Sequence, residues 1–270
     1  MASSATTASG WLAAQAPWPQ GVQAGISLRM GGVSTPPWDS FNLGDHVGDE
    51  PDHVAVNRQR LSALTGARPV FCQQVHGTDM AHLGPNAADG EVADGAWTSE
   101  RNLACTMMVA DCLPMLLAAP GGSSVAALHA GWRGLVGQGG VGVIEALVQA
   151  WPGLATAQAR RESVVWLGPC IGPTSFEVGA EVRQAFLAVD SGADGCFQPL
   201  AASGETPKFL ADLPGLARRR LAQAGFARVF GNDGSAGWCT VLNPDRFFSF
   251  RRDQVRLGGT GRMAACIWRT

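Results

Sequence analysis

The sequence predicts an α/β protein of the α+β-like kind, a single domain of mixed or antiparallel sheets flanked by helices. Three observations carry this. Short apolar or β-rich runs are interleaved with helical stretches, but without the regular βαβ beat of a doubly wound parallel sheet. The 270 residues include 35 glycines and 16 prolines, a composition suited to tight turns rather than long helices. No internal repeat, heptad or dense linker divides the chain, and its 46% hydrophobic content suffices for one large core.

Residues 1–20, "MASSATTASGWLAAQAPWPQ", are Ala-rich and Pro-punctuated and read as a flexible N-terminal segment, which leaves 21–270 as the catalytic domain. "AGISLRMGGVS" is a short alternating strand that ends at Arg29 and Met30 and runs into Gly31-Gly32. "PPWDSFNLGDHVGD" is an irregular loop. "DEPDHVAVNRQRLSALTG" has an acidic first turn, a proline near its start, Val54, Leu61 and Leu64 on one face and Gly66 as a stop, the marks of a helix. The runs "PVFCQQVHG", "ACTMMVADC", "PMLLAAP" and "SVAALHAG", each closed by turn residues, form a sheet around residues 69–131. One helix is expected from Leu135 or Gly139 to Trp151, and "SVVWLGPCIG" is a strand ending in a Gly-Pro turn. "VGAEVRQAFLAV" and "ADLPGLARRRLAQAG" are helical, "FARVF" is a strand, and "FFSFRRD" and "RMAACIWR" close the sheet.

A formal net charge of −2 gives no general basic field, so neither nucleic acid nor a membrane surface is the expected partner, and small molecules are. The seven cysteines, at 72, 105, 112, 170, 196, 239 and 266, are odd in number and contain no CxxC pair. They read as thiols in a reducing, cytoplasmic compartment. The N-terminus lacks the charged and apolar regions of a signal peptide, and no run approaches the ~18 apolar residues of a membrane span. Walker loops, GxGxxG after a strand, GxSxG elbows and HExxH are all missing.

His76 in "QQVHG", Cys112 in "VADCLP" and His129 in "ALHAGWRG" each stand where an apolar strand meets a turn. Two imidazoles and a thiolate form a zinc-competent set, and three protein ligands leave a fourth position open, as catalytic zinc requires. Other readings stay open on the residues alone. Cys112 and His129 can be a nucleophile and its base without metal. Each of the three can instead be a packed structural group, and a closed metal site can serve an interaction protein.

Arg29, Arg133 and the Arg251-Arg252 pair lie beside turns and are candidates for holding a phosphate or carboxylate, with a solvated surface position as the alternative. Asp111 and Asp94 can orient an imidazole or relay a proton, or can serve their turns locally. Glu177 reads as the acidic start of the following helix. Trp132 and Phe41 can stack on a base or merely pack.

Together, "RMGGVSTPPWDSFNLGDHVGD", "NRQRL", "QQVHG", "ADG", "ADCLP", "HAGWRG", "GPCIGPTSFEVGAEV", "FFSFRRD" and "TGR", in this order over about residues 27–262, resemble the YfiH or laccase-domain purine nucleoside phosphorylase family. The resemblance implies one domain with helices outside two mixed sheets, similar in fold to the cysteine-hydrolase domain of cytotoxic necrotizing factors. It also implies a zinc or copper site at His76, Cys112 and His129. Members have been assigned phosphorolysis of adenosine, inosine and methylthioadenosine, adenosine deamination, polyphenol oxidation and editing of peptidoglycan precursors. With only five histidines, at 46, 53, 76, 82 and 129, a trinuclear laccase centre does not fit, although Cys plus two His also suits a single copper. The expected enzyme is therefore a metal-dependent, monomeric purine nucleoside phosphorylase with deaminase activity. Cys112, His129, Arg29 and Arg133 are its expected catalytic groups, and Arg251 and Asp111 its substrate contacts.

Overall fold

In a computed structural model, residues 10–201 and 206–270 are described, so residues 1–9 of the expected flexible segment lie outside them. The rest of that segment is not loose. Trp11–Ala13 forms β1, pairs antiparallel with β2 (Val22–Ser27), and sets Trp11 against Trp268 with ring centroids 6.2 Å apart. Helix α1 (Pro51–Thr65) follows the sequence reading, with proline in its first turn and Gly66 closing it in the left-handed conformation.

The chain then builds β3 (Arg68–Phe71), β4 (Met80–His82), β5 (Gly95–Thr98), β6 (Leu103–Val109), β7 (Leu113–Ala118) and β8 (Val125–Ala130). The single helix expected before Trp151 is two: α2 (Trp132–Val136) and α3 (Val143–Ala150). The break is at Gly137, where φ is 67° and a Cβ would lie 1.9 Å from the Val141 carbonyl oxygen. After α4 (Ala157–Glu162) come β9 (Val164–Leu167), β10 (Glu177–Gly179), α5 (Ala180–Val189), β11 (Phe197–Pro199), β12 (Lys208–Ala211), α6 (Leu213–Gln223) and β13 (Arg228–Gly231). The expected strand at "FFSFRRD" is instead the start of helix α7 (Phe250–Leu257), capped by Ser249, whose hydroxyl accepts from the Arg252 N–H. Strand β14 (Met263–Arg269) ends the fold.

Two large mixed sheets result, in the orders β1-β2-β14-β6-β3 and β13-β9-β7-β8-β5-β4, with a small antiparallel sheet, β10-β12-β11, beside them. Side-chain alternation explains the continuous apolar runs. On β7, Leu113, Met115 and Leu117 join the core beneath the helices, while Leu116 and Ala118 join the core between the sheets. On β14, Met263, Ala265 and Ile267 face the inter-sheet core, and Ala264, Cys266 and Trp268 face Leu61 of α1. Both faces of the central strands are dry, so hydrophobicity cannot alternate there. All seven cysteines are free, and no helix among the described residues is long and apolar enough to cross a membrane.

Candidate active site

The chain passes from one large sheet to the other between β6 and β7, and Asp111 and Cys112 form that crossing. His129 is the penultimate residue of β8 and is buried. His76 is not at a strand end: β3 stops at Phe71, and His76 is an exposed residue of the irregular segment beyond, at φ 61°. Asp111, at φ 90°, is also left-handed. Neither residue is glycine, and such backbone is retained only where surrounding contacts enforce it.

The enforcing contact at His76 is Asp94, which is fully buried in front of β5. Its Oδ1 accepts from the His76 backbone N–H (3.0 Å) and from His129 Nδ1 (2.7 Å). Its Oδ2 accepts from the N–H groups of Val75 (3.0 Å) and Gly77 (2.7 Å). One carboxylate thus shapes the segment that carries His76 and fixes the His129 ring, leaving Nε2 of His129 as the free ligand atom.

The ligand atoms of His76, Cys112 and His129 all lie within 4.8 Å of one another. The two imidazoles meet edge to face, with centroids 4.8 Å apart. An ion with the usual ~2.0–2.3 Å bonds holds tetrahedral ligand atoms roughly 3.3–3.8 Å apart, so small side-chain rotations close this set on a metal. A carboxylate behind one ligating histidine is the usual support of such a centre. The donors, two imidazoles and one thiolate, fit zinc or copper. Gly131 clears the space: a Cβ there would sit 3.0 Å from Cys112 Sγ and 3.1 Å from His76 Cδ2.

Without a metal the three groups share charge. Burial works against the Cys112 thiolate, but His129 and His76 outweigh it by charge and hydrogen bonding and bring the thiol down to about 6. Burial equally disfavours the His129 imidazolium, yet the Cys112 charge and the Asp94 hydrogen bond raise it to about 9. Asp94 is held below its ordinary range: its own burial, which opposes this, yields to His129 and to the Gly77 and Val75 N–H groups.

The three residues open into a cavity of ≈ 410 Å³ that also bears Trp132, Arg133, Phe176, Phe250 and Arg251. Arg133 is exposed, with its guanidinium 4.5 Å from the Trp132 ring centroid. Arg251 borders the cavity but gives both terminal nitrogens to the Glu177 carbonyl at 3.1 Å. Asp111 also borders it, and its carboxylate accepts from Thr240 Oγ1 (2.5 Å) and from the Arg251 backbone N–H (2.6 Å), which pins the start of α7.

Arg29 is not brought to the cavity. It is buried, donates to the carbonyl of Asp39 (2.9 Å), and pairs with the carboxylates of Asp39 (3.0 Å) and Asp253 (3.4 Å), so its fork is a structural tie. Arg252 is likewise occupied by Asp253 and the Thr240 and Phe247 carbonyls. Phe41 is buried against α1 and does not line the cavity. Glu177 lies in β10, ahead of α5, paired with Lys208. Sequence reasoning gave no role to His46, Gln74, Phe250 or Arg262, all of which line the cavity. The "TGR" run just before β14 carried the signal for Arg262.

Residues 23–270 match the family model described as multi-copper polyphenol oxidoreductase laccase. The Shigella flexneri purine nucleoside phosphorylase YfiH is 46% identical over 256 residues, 94% of this chain and 96% of its own. A Pseudomonas aeruginosa purine nucleoside phosphorylase is 43% identical over 260 residues, covering 96% and 98%. Among solved structures, Neisseria meningitidis protein NMB0706 superposes with a TM-score of 0.85 at 39% identity, covering 96% of this chain and 99% of that one. YlmD from Geobacillus stearothermophilus gives a TM-score of 0.81 at 31% identity, covering 98% and 97%. With matches over nearly its whole length in both sequence and fold, the chain belongs to the laccase-like family of YfiH proteins.

Proposed function

We propose that the protein is a metal-dependent purine nucleoside phosphorylase that cleaves adenosine, inosine or methylthioadenosine with phosphate and also deaminates adenosine. The observation that carries this is the convergence of His76, Cys112 and His129 on one cavity of ≈ 410 Å³ walled by aromatic and arginine side chains. That size suits a nucleoside. The names of the close relatives point the same way.

His76, Cys112 and His129 would hold the ion, zinc or copper, which supplies Lewis acidity when bound. The chain's own residues do the rest. Asp94 keeps the proton of His129 on Nδ1, so the ring presents a lone pair at Nε2. Trp132 offers an apolar plane to the base. Arginine charge neutralises phosphate as its oxygen bonds to C1′ and the purine departs with the electrons of the glycosidic bond. In deamination, water adds at C6 and ammonia leaves. The same reading takes the protein as a cytoplasmic monomer acting on small molecules.

Zinc-loaded protein is to be incubated with adenosine, with and without phosphate, while adenine, ribose 1-phosphate and inosine are followed. Adenine and ribose 1-phosphate are expected only with phosphate, and inosine in both. No product from the metal-replete protein would refute the proposal.

A second reading draws on one specific observation, the relay Asp94, His129, Cys112 with a stabilised thiolate. As a cysteine hydrolase, for instance on peptidoglycan precursors, the protein would keep its activity after chelation and lose it in Cys112→Ser. Activity lost on chelation and restored by zinc counts against that reading.

A further inference from the structure

Arg262, the residue before β14, lines the cavity and is half-buried. Its Nη1 donates to the carbonyls of Thr260 (3.1 Å) and Gly261 (3.2 Å), and its backbone N–H donates to Asn42 Oδ1 (2.8 Å), so the side chain is anchored at one corner. The other guanidinium nitrogens make no hydrogen bond within the described residues and are not sealed from solvent, and the guanidinium carbon stands 5.9 Å from the ring centroid of Phe250, another residue of the cavity wall. Among the described residues no carboxylate pairs with Arg262, whereas Arg29, Arg58, Arg183, Arg219 and Arg220 all have one. The negative groups close enough to act on it are Cys112, which belongs to the ligand set, and Asp111, whose oxygens are taken by Thr240 and Arg251.

A half-buried guanidinium at a cavity wall without a carboxylate partner is an incomplete ion pair, open to an anion from the cavity. Its two rivals in the cavity are differently placed. Arg133 is exposed over Trp132, and Arg251 gives both terminal nitrogens to Glu177. We infer that Arg262 is the oxyanion-binding residue of this cavity, its unsatisfied edge receiving inorganic phosphate beside the His76, Cys112 and His129 set. The identity of the oxyanion rests on the phosphorolysis reading; the existence of the subsite does not.

The test uses zinc-loaded protein and, as probes, inorganic phosphate and sulfate, with binding measured by calorimetry and the KM values for phosphate and adenosine measured separately. Arg262→Gln is expected to weaken phosphate binding and raise the phosphate KM at least about tenfold, the factor carried by one charge-assisted hydrogen bond. The adenosine KM should move far less, and the surface control Arg60→Gln should match wild type. Should Arg262→Gln fail to fold, Arg262→Lys decides, since it keeps the charge and loses the fork. A folded Arg262 variant that binds phosphate like wild type overturns the inference, as does a wild-type protein that binds neither anion. Phosphate binding that depends on Arg262 in a protein without phosphorolysis upholds the subsite while removing the proposed reaction. A nucleoside carrying its own phosphate that binds through Arg262 in place of free phosphate upholds the oxyanion site and reassigns its source.

Discussion

Asp94→Asn is the substitution that most directly tests how the site is held. Asn has the shape of Asp but offers one acceptor oxygen and one donor nitrogen, and all four partners of Asp94 are donors: the N–H groups of Val75, His76 and Gly77 and Nδ1 of His129. With the amide nitrogen at the Oδ2 position, the bonds to Val75 and Gly77 are lost. With it at Oδ1, the His76 bond is lost, and His129 must move its proton to Nε2, the atom it presents to a metal. Two charge-assisted bonds are broken in either orientation. At roughly 1.5–3 kcal/mol each, the loss is about 3–6 kcal/mol for a group with no access to water. Urea unfolding of the zinc-free protein measures this term. Competition for zinc with a chromophoric chelator measures the second, a fall in affinity of about 10–100-fold. A variant within ~1 kcal/mol of wild type that also binds zinc as tightly would refute the idea that Asp94 organises the site.

Three further outcomes are expected. In metal-free protein, thiolate absorbance near 240 nm should titrate with a midpoint of about 6, present above that pH and lost below it, and should vanish in Cys112→Ser. Gly131→Ala has an ordinary backbone but pushes a methyl between Cys112 and His76, so zinc affinity should fall while the unfolding temperature barely moves; unchanged affinity counts against the convergence of these side chains. Asp253 is buried, which alone would raise its pKa, but Arg252, Arg29 and Arg256 hold it below the ordinary carboxylate range. Its stabilisation is therefore complete above that range and lost as pH falls through the lowered value. Asp253→Asn should lower stability at pH 7 by about 3–5 kcal/mol and flatten the acid limb of the stability profile.

The sheets were legible because their central strands are dry on both faces, and such strands print as unbroken apolar runs. Helix α7 was not, for the opposite reason. Its one buried residue is Asp253, so it has no apolar stripe to show, and it is held by a carboxylate among arginines. The aromatic "FFSF" that leads into it imitated a strand, although Phe247 and Phe248 simply fill the inter-sheet core and Phe250 already begins the helix. At the site, Cys112 and His129 could be found from adjacent strands. His76 was also singled out, from "QQVHG", but on a strand end that is not there: what places it is a carboxylate 18 residues further on. Arginines failed in both directions: Arg29 resembles a ligand contact until Asp253, 224 residues away, claims it, and Arg262 looks ordinary until its lack of a carboxylate is seen.

The position of β14 bears on how the molecule comes into being. It is the centre of the five-stranded sheet, joining β2 to β6, yet it is the last described strand to leave the ribosome. Until it arrives, β2 and β6 have an empty lane between them, and a loop spanning most of the chain must close to fill it, the kind of step that makes folding slow. Cys112 and His129, by contrast, lie at the β7-β8 pair of the other sheet, where Pro114 stands opposite His129, so the step that β14 delays is closure of the five-stranded sheet and not the meeting of thiol and imidazole.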